Sequence, residues 1–93
     1  MQIIEEEKLA IKKQGAYIQH LRADQNLSVE AFADRLHIKP NELKEIEEGN
    51  IEAPDEVIRQ LLYVIKANEL DFESNMYRFF GERWEALKEK GYI

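Results

Sequence analysis

The chain has 93 residues and a net charge of −6, with 44% hydrophobic and 34% charged residues. This balance argues against a disordered chain, and the length predicts one domain with a modest core. The chain has no cysteines, which excludes disulfides and thiolate metal sites and leads us to expect a cytoplasmic protein. No apolar stretch reaches membrane-spanning length, so we expect no membrane segment. The negative charge has the wrong sign for binding nucleic acid by bulk electrostatics.

The N-terminal segment is predicted to be a charged helix. Ile4, Ile11 and Ile18 lie seven residues apart, so this helix can continue into the next one although Gly15 interrupts the pattern. The next helix is predicted over about residues 15–25. Two interpretations of the N-terminal segment remain open: a helix that packs on its own domain, or a contact between two copies of the chain.

Residues 28–49 predict two short helices joined by a tight turn. Ser28 is a candidate N-cap of the first helix, because its hydroxyl can accept a hydrogen bond from a free amide of the first turn. Pro40 begins the second helix, at a position where its missing amide proton costs nothing. Gly49 is expected to end that helix as a left-handed cap. Apolar residues at spacings of three and four predict one buried face on each helix, formed by Phe32, Ala33, Leu36, Leu43 and Ile46.

Two further helices are predicted in the C-terminal half. Pro54 precedes a strongly apolar helix that has acidic residues in its first turn. A last helix is predicted over about residues 71–90, and Gly81 inside it is expected to allow close packing or a bend. Large apolar side chains recur along this helix, either as part of the domain's own core or as a homodimer interface. The candidates for the interface are Phe72, Met76, Phe80, Trp84 and Leu87.

Several positions follow one register without a gap: a glycine that opens a helix, an arginine within it, a helix cap, a small alanine in the next helix, and a closing Ile-Glu-x-Gly. They fall at Gly15, Arg22, Ser28, Ala33 and residues 46–49. With this register, residues from about 15 to 67 resemble the helix-turn-helix family of the lambda repressor, Cro and Xre proteins. The resemblance implies an all-α, lambda-repressor-like domain of five or six helices, with helical extensions at both ends, over the single domain 1–93. It also implies a structural ion pair between Arg22 and Glu47.

The resemblance further implies a sequence-specific, DNA-binding transcription regulator of the Xre/Cro type that acts as a homodimer on double-stranded DNA. The helix that begins at Pro40 would then enter the major groove. The candidate DNA contacts are Asn41 and Lys44 on base edges, Lys39 on a phosphate, and Ser28. We predict no enzyme, cofactor or metal site, because the two histidines are isolated and no phosphate loop or metal-ligand spacing is visible.

The charge of the motif keeps a second interpretation open. Residues 28–50 carry six acidic side chains and three basic ones. Glu45 and Glu48 would repel phosphates if they faced a duplex. An acidic face would instead suit a protein-interaction module on the same scaffold, such as an antirepressor or modulator that has lost DNA binding and covers a basic protein partner.

Overall fold

The computed structural model describes residues 2–65 and 71–91, with the side chains from residue 5 onwards. Within these ranges the chain forms six α-helices and no strand. The prediction of an all-α domain with five or six helices is therefore confirmed. The helices are α1 (Gln2–Asp24), α2 (Val29–Leu36), α3 (Pro40–Glu47), α4 (Asp55–Ile65), α5 (Phe72–Phe80) and α6 (Glu82–Glu89).

Helix α1 is continuous over 23 residues, so the N-terminal segment and the helix predicted over about residues 15–25 are one element. Gly15 lies inside α1 and does not open a new helix. A Cβ at this position would lie 2.9 Å from the carbonyl oxygen of Glu47 and closer still to that of Ile46. The glycine therefore allows the backbone of α1 to touch the end of α3, where any side chain would be in the way.

The turn between α2 and α3 is held by backbone and capping hydrogen bonds. The Ser28 hydroxyl caps α2 by accepting a hydrogen bond from the Ala31 amide at 3.1 Å. His37 ends α2 in the left-handed conformation with φ of 61°, and the next amide, that of Ile38, donates to the Ala33 carbonyl at 3.0 Å. Pro40 is the first residue of α3, as predicted.

The hydrophobic core draws on all six helices. α1 packs on α3 and α5, α2 packs on α3 and α4, and α6 packs on α4 and α5. All the apolar residues predicted to be buried in α2 and α3 are buried. Elsewhere the core contains Tyr17, Ile18 and Leu21 of α1, Ala53 before α4, and Val57, Ile58, Leu61 and Ile65 of α4.

The C-terminal part forms two helices, so the single last helix predicted over about residues 71–90 is wrong. The chain breaks at Gly81, whose φ of 49° and ψ of −116° lie far from helical values. Because of this break, α6 folds back to pack on α5. The five residues considered for a dimer interface are buried within the chain itself, with at most 4% of any one exposed: Phe72, Met76, Phe80, Trp84 and Leu87. Their burial supports the core interpretation of this stretch.

Candidate nucleic-acid interface

Helix α3 has one buried side and one side open to solvent. Its buried residues are Leu43, Ile46 and Glu47. With 3.6 residues per turn, the opposite side is formed by four residues that are all exposed. We call this side the outward face of α3; it comprises Asn41, Lys44, Glu45 and Glu48.

Three of the residues predicted to contact DNA lie on the outward face of α3 or at its N-terminus. Lys39 is the N-cap residue of α3, is exposed, and makes no side-chain cap hydrogen bond. Asn41 and Lys44 lie on the outward face of α3. Within residues 2–65 and 71–91, no ion pair engages Lys39 or Lys44. Both ammonium groups are therefore available to an anion.

Ser28 lies at the start of α2, the helix that contacts α3 across the turn. Its hydroxyl oxygen is used to cap α2, while a hydroxyl group also has a proton to donate. The residue therefore has a definite structural role, and a phosphate contact would come in addition to it.

The ion pair between Arg22 and Glu47 is present and ties α3 to α1. Arg22 Nε donates to Glu47 Oε2 at 2.8 Å, and Nη2 donates to Oε1 at 3.0 Å. A third bond, from Nη1 to the Leu27 carbonyl at 3.0 Å, ties the guanidinium to the segment before α2. The side chains are 18% and 5% exposed, respectively. The hydrogen bond to Glu47 raises the pKa of Arg22 above its ordinary value, although burial opposes the shift.

A family model described as a helix-turn-helix domain matches residues 15–72, which is more than half of the chain. The chain belongs to the helix-turn-helix domain family. No curated protein and no solved structure matches it. Helix-turn-helix domains are in general DNA-binding modules of regulators and not enzymes. The match begins at Gly15 and ends at the first residue of α5, so the first half of α1 and nearly all of α5 and α6 are additions to the helix-turn-helix domain.

The acidic residues of the helix-turn-helix domain are not all equivalent. Glu47 is buried and neutralised by Arg22, as described above. Glu45 and Glu48 are exposed on the outward face of α3, one residue and four residues after Lys44. The total charge of the motif does not distinguish the buried acid from the exposed ones. The helical period, counted from the buried Leu43 and Ile46, could have distinguished them.

One polar residue near α3 was not singled out in the sequence. A shallow depression of about 210 Å³ lies where α1, α2 and α3 meet, and Gln19 of α1 lines it together with Val29 and Lys44. Gln19 is exposed, and its amide lies on the same depression as a predicted DNA contact. Its position three residues before Arg22 was the available signal, because residues three apart share a side of a helix.

The described residues contain no group of three metal-ligating side chains placed to hold an ion. In the same part of the chain, no helix is both long enough and apolar enough to cross a bilayer. Trp84 and Phe72 contact each other edge to face inside the core, with ring centroids 6.1 Å apart. These aromatic side chains of the C-terminal helices therefore serve packing.

Proposed function

We propose that the protein is a sequence-specific transcription regulator that binds double-stranded DNA as a homodimer. The outward face of α3 enters the major groove, Asn41 and Lys44 contact base edges, and Lys39 contacts a phosphate. The observation that supports this most is the exposure of Asn41 and Lys44 on the side of α3 opposite its buried residues.

Each proposed contact follows from the chemistry of the side chain. The amide of Asn41 can donate to N7 and accept from N6 of adenine in one two-pronged contact. The ammonium of Lys44 can donate to O6 or N7 of guanine. Glu45, on the same outward face, is an acceptor for the amino group of cytosine, so one of the acids can contribute to sequence preference without being neutralised.

The anchoring of α3 supports the same role. The tight contact at Gly15 and the bidentate ion pair of Arg22 with Glu47 hold the helix from its far end. The outward face is thus presented on a rigid element, which base recognition requires. Ser28 belongs to this support through its cap on α2, and its proton can reach a phosphate that crosses the start of that helix.

The test is binding of the purified protein to DNA from its own upstream promoter at two salt concentrations. We expect specific binding that weakens as salt rises, with a slope of log K against log salt near −2 if Lys39 of each chain in a dimer contacts a phosphate. The triple variant Lys39→Ala, Asn41→Ala, Lys44→Ala should lose at least a hundredfold in affinity. The double variant Lys8→Ala, Lys90→Ala removes the same charge from two exposed sites away from α3 and should bind as the unmodified protein does.

A second candidate function is binding of a basic protein partner by the outward face of α3. The exposure of both Glu45 and Glu48 on that face is the observation that favours it. Failure of the folded protein to bind any promoter fragment at low salt would overturn the first proposal and leave this one.

A further inference from the structure

We infer that two copies of the chain associate through the exposed side of α1 centred on Leu9, with the two helices antiparallel. This inference deepens the proposed function, because it identifies the surface that forms the homodimer. Its test needs no DNA, so its outcome is separate from that of DNA binding.

The first half of α1 has an apolar residue that nothing in the described part of the chain covers. Leu9 is 53% exposed and is one of three large hydrophobic residues with this degree of exposure in the described part of the chain. Four exposed residues of α1 lie at spacings of four, three and four, which places them along one seam: Glu5, Leu9, Lys12 and Ala16. We call this seam, together with the flanking Glu6 and Lys13, the α1 face.

The centre of the α1 face, at Leu9, points away from the core of the domain. By the helical period, Leu9 lies about 130° around α1 from the mean direction of the buried residues. Those residues are Gln14, Tyr17, Ile18 and Leu21, which pack towards the other helices. Leu9 is therefore left open to a partner. The stem of Lys12 lies close to Gly49, and Lys13 and Ala16 border a depression beside α5, but these three side chains are still exposed.

Leu9 is flanked by acidic residues on its N-terminal side and by basic residues at the same separations on its C-terminal side. Glu5 and Glu6 lie four and three residues before Leu9, and Lys12 and Lys13 lie three and four residues after it. In an antiparallel pair centred on Leu9, the acids of each chain lie beside the bases of the other, and both ends gain the same contacts. A parallel pair would instead bring like charges together.

These charges are free to pair between chains. Within residues 2–65 and 71–91, none of the four is engaged in an ion pair of its own chain. All four side chains are exposed. The complementarity that a second copy offers is therefore not already satisfied, which favours a second copy over an unrelated partner.

The surface is small, which sets what kind of dimer to expect. Residues 5–16 span about 17 Å of helix, and a contact of that length is at the low end of specific interfaces. Most of its pairs are charged and exposed to solvent. The dimer should therefore form at high protein concentration and weaken as salt rises, because ions screen exposed charge pairs.

Charge reversal tests the arrangement in sedimentation experiments without DNA. One variant carries Glu5→Lys with Glu6→Lys, and the other carries Lys12→Glu with Lys13→Glu. Each alone should dimerise at least tenfold more weakly than the unmodified chain, because like charges then meet at both ends. An equimolar mixture of the two variants should recover the dimer. Glu85→Lys with Glu89→Lys, two exposed acids on α6, is the matched control and should leave dimerisation unchanged.

Cross-linking provides the second measurement, since the chain has no cysteine of its own. Leu9→Cys should form a disulfide-linked dimer under mild oxidation, because the two copies of position 9 meet at the symmetry axis. Tyr63→Cys, at a residue 57% exposed on α4, should not. The inference is overturned if the folded chain stays monomeric at millimolar concentration, if the charge-reversed variants dimerise as the unmodified chain does, or if position 63 cross-links in place of position 9. The triple variant at Lys39, Asn41 and Lys44 should dimerise normally.

Discussion

The backbone of Gly15 lies against the carbonyl oxygen of Ile46 with no room for a methyl group between them. This contact joins the middle of α1 to the last turn of α3. Together with the ion pair of Arg22 and Glu47, two helical turns further along α1, it gives α3 two points of attachment to the same helix. The orientation of the outward face of α3 therefore depends on α1 as much as on the turn from α2.

Replacing Gly15 by alanine should destabilise the protein by about 2 kcal/mol, because the added methyl group must push the two helices apart. Helix propensity alone predicts the opposite sign, a gain of about 1 kcal/mol from alanine inside a helix. Urea unfolding decides between the two effects. Gln19→Ala, at an exposed site of the same helix, should change the free energy of unfolding by less than about 0.5 kcal/mol.

Replacing Arg22 by methionine should cost about 3 kcal/mol, because it leaves the carboxylate of Glu47 buried without its partner. Glu47→Gln should cost less, since the guanidinium keeps its bond to the Leu27 carbonyl and the amide oxygen still accepts a bond from it. Chemical unfolding of both single variants and the double variant gives the coupling energy. Equal costs for the two single variants would contradict the asymmetry.

The contribution of the Arg22 charge should not vary with pH between about 6 and 9. The pKa of Arg22 is raised in the folded protein, mainly by its hydrogen bond to Glu47. A group with a raised pKa stabilises the fold at every pH below its unfolded pKa and loses this effect only as pH rises past its folded pKa. For arginine that window lies far into the alkaline range. The difference in free energy of unfolding between the unmodified chain and Arg22→Met, measured across the neutral range, should be flat.

Replacing Glu45 and Glu48 by glutamine distinguishes the two proposed functions. If α3 binds DNA, removing two negative charges from its outward face should strengthen binding to non-specific DNA about tenfold at low salt, because phosphates are no longer repelled. If that face binds a basic protein, the same change should weaken that complex. Gel-shift titration against unrelated DNA gives the answer. The pair Glu85→Gln and Glu89→Gln, on α6, provides a control with the same change of charge.

Removing α5 and α6 should prevent stable folding, although nearly all of both helices lies outside the helix-turn-helix match. Tyr17 of α1 stacks on Phe79 with ring centroids 4.7 Å apart, and Trp84 is almost fully buried. A chain ending at residue 71 would expose the surfaces that these residues cover. Thermal unfolding followed by circular dichroism should show no cooperative transition. Trp84→Ala in the full chain should cost about 4 kcal/mol while leaving the transition cooperative.

The helices and the helix-turn-helix unit could be predicted because their signals are local. Ser28 and Pro40 mark helix starts through capping and fixed φ, and the apolar spacing of α2 and α3 identified their buried sides. The position of Gly81 was recognised, but the sequence does not say whether a glycine bends a helix or ends it. That outcome depends on whether α6 finds a surface to pack against, and α4 and α5 provide one.

The role of Gly15 illustrates what local signals leave out. Its sequence position indicated an interruption of a helix, while its structural role depends on a carbonyl oxygen 31 residues away in the chain. The same limit applied to the C-terminal apolar residues, which suited a core and an interface equally well until the fold showed how much interior the domain has. For the candidate site, the residue types were predictable, and the helical period could also have placed Lys44, Glu45 and Glu48 on one face. The tight contact of α3 with Gly15, by contrast, required the fold.

Because α1 is continuous, it is a rigid helix with Leu9 in its N-terminal half and the attachment of α3 at Gly15 and Arg22, in its middle and C-terminal half. In a continuous helix, the number of residues between two positions sets the angle between their side chains around the helix axis. Inserting one residue between Lys13 and Gly15 would turn Leu9 and its charged neighbours together by about 100° relative to the attachment of α3. Inserting four would nearly restore the phase and lengthen the helix by about 6 Å. In a dimer formed through the α1 face, the length of α1 would therefore set the distance between the two α3 helices, and with it the spacing of the operator half-sites. Insertions or deletions in α1 could change this spacing without changing any residue proposed to contact DNA.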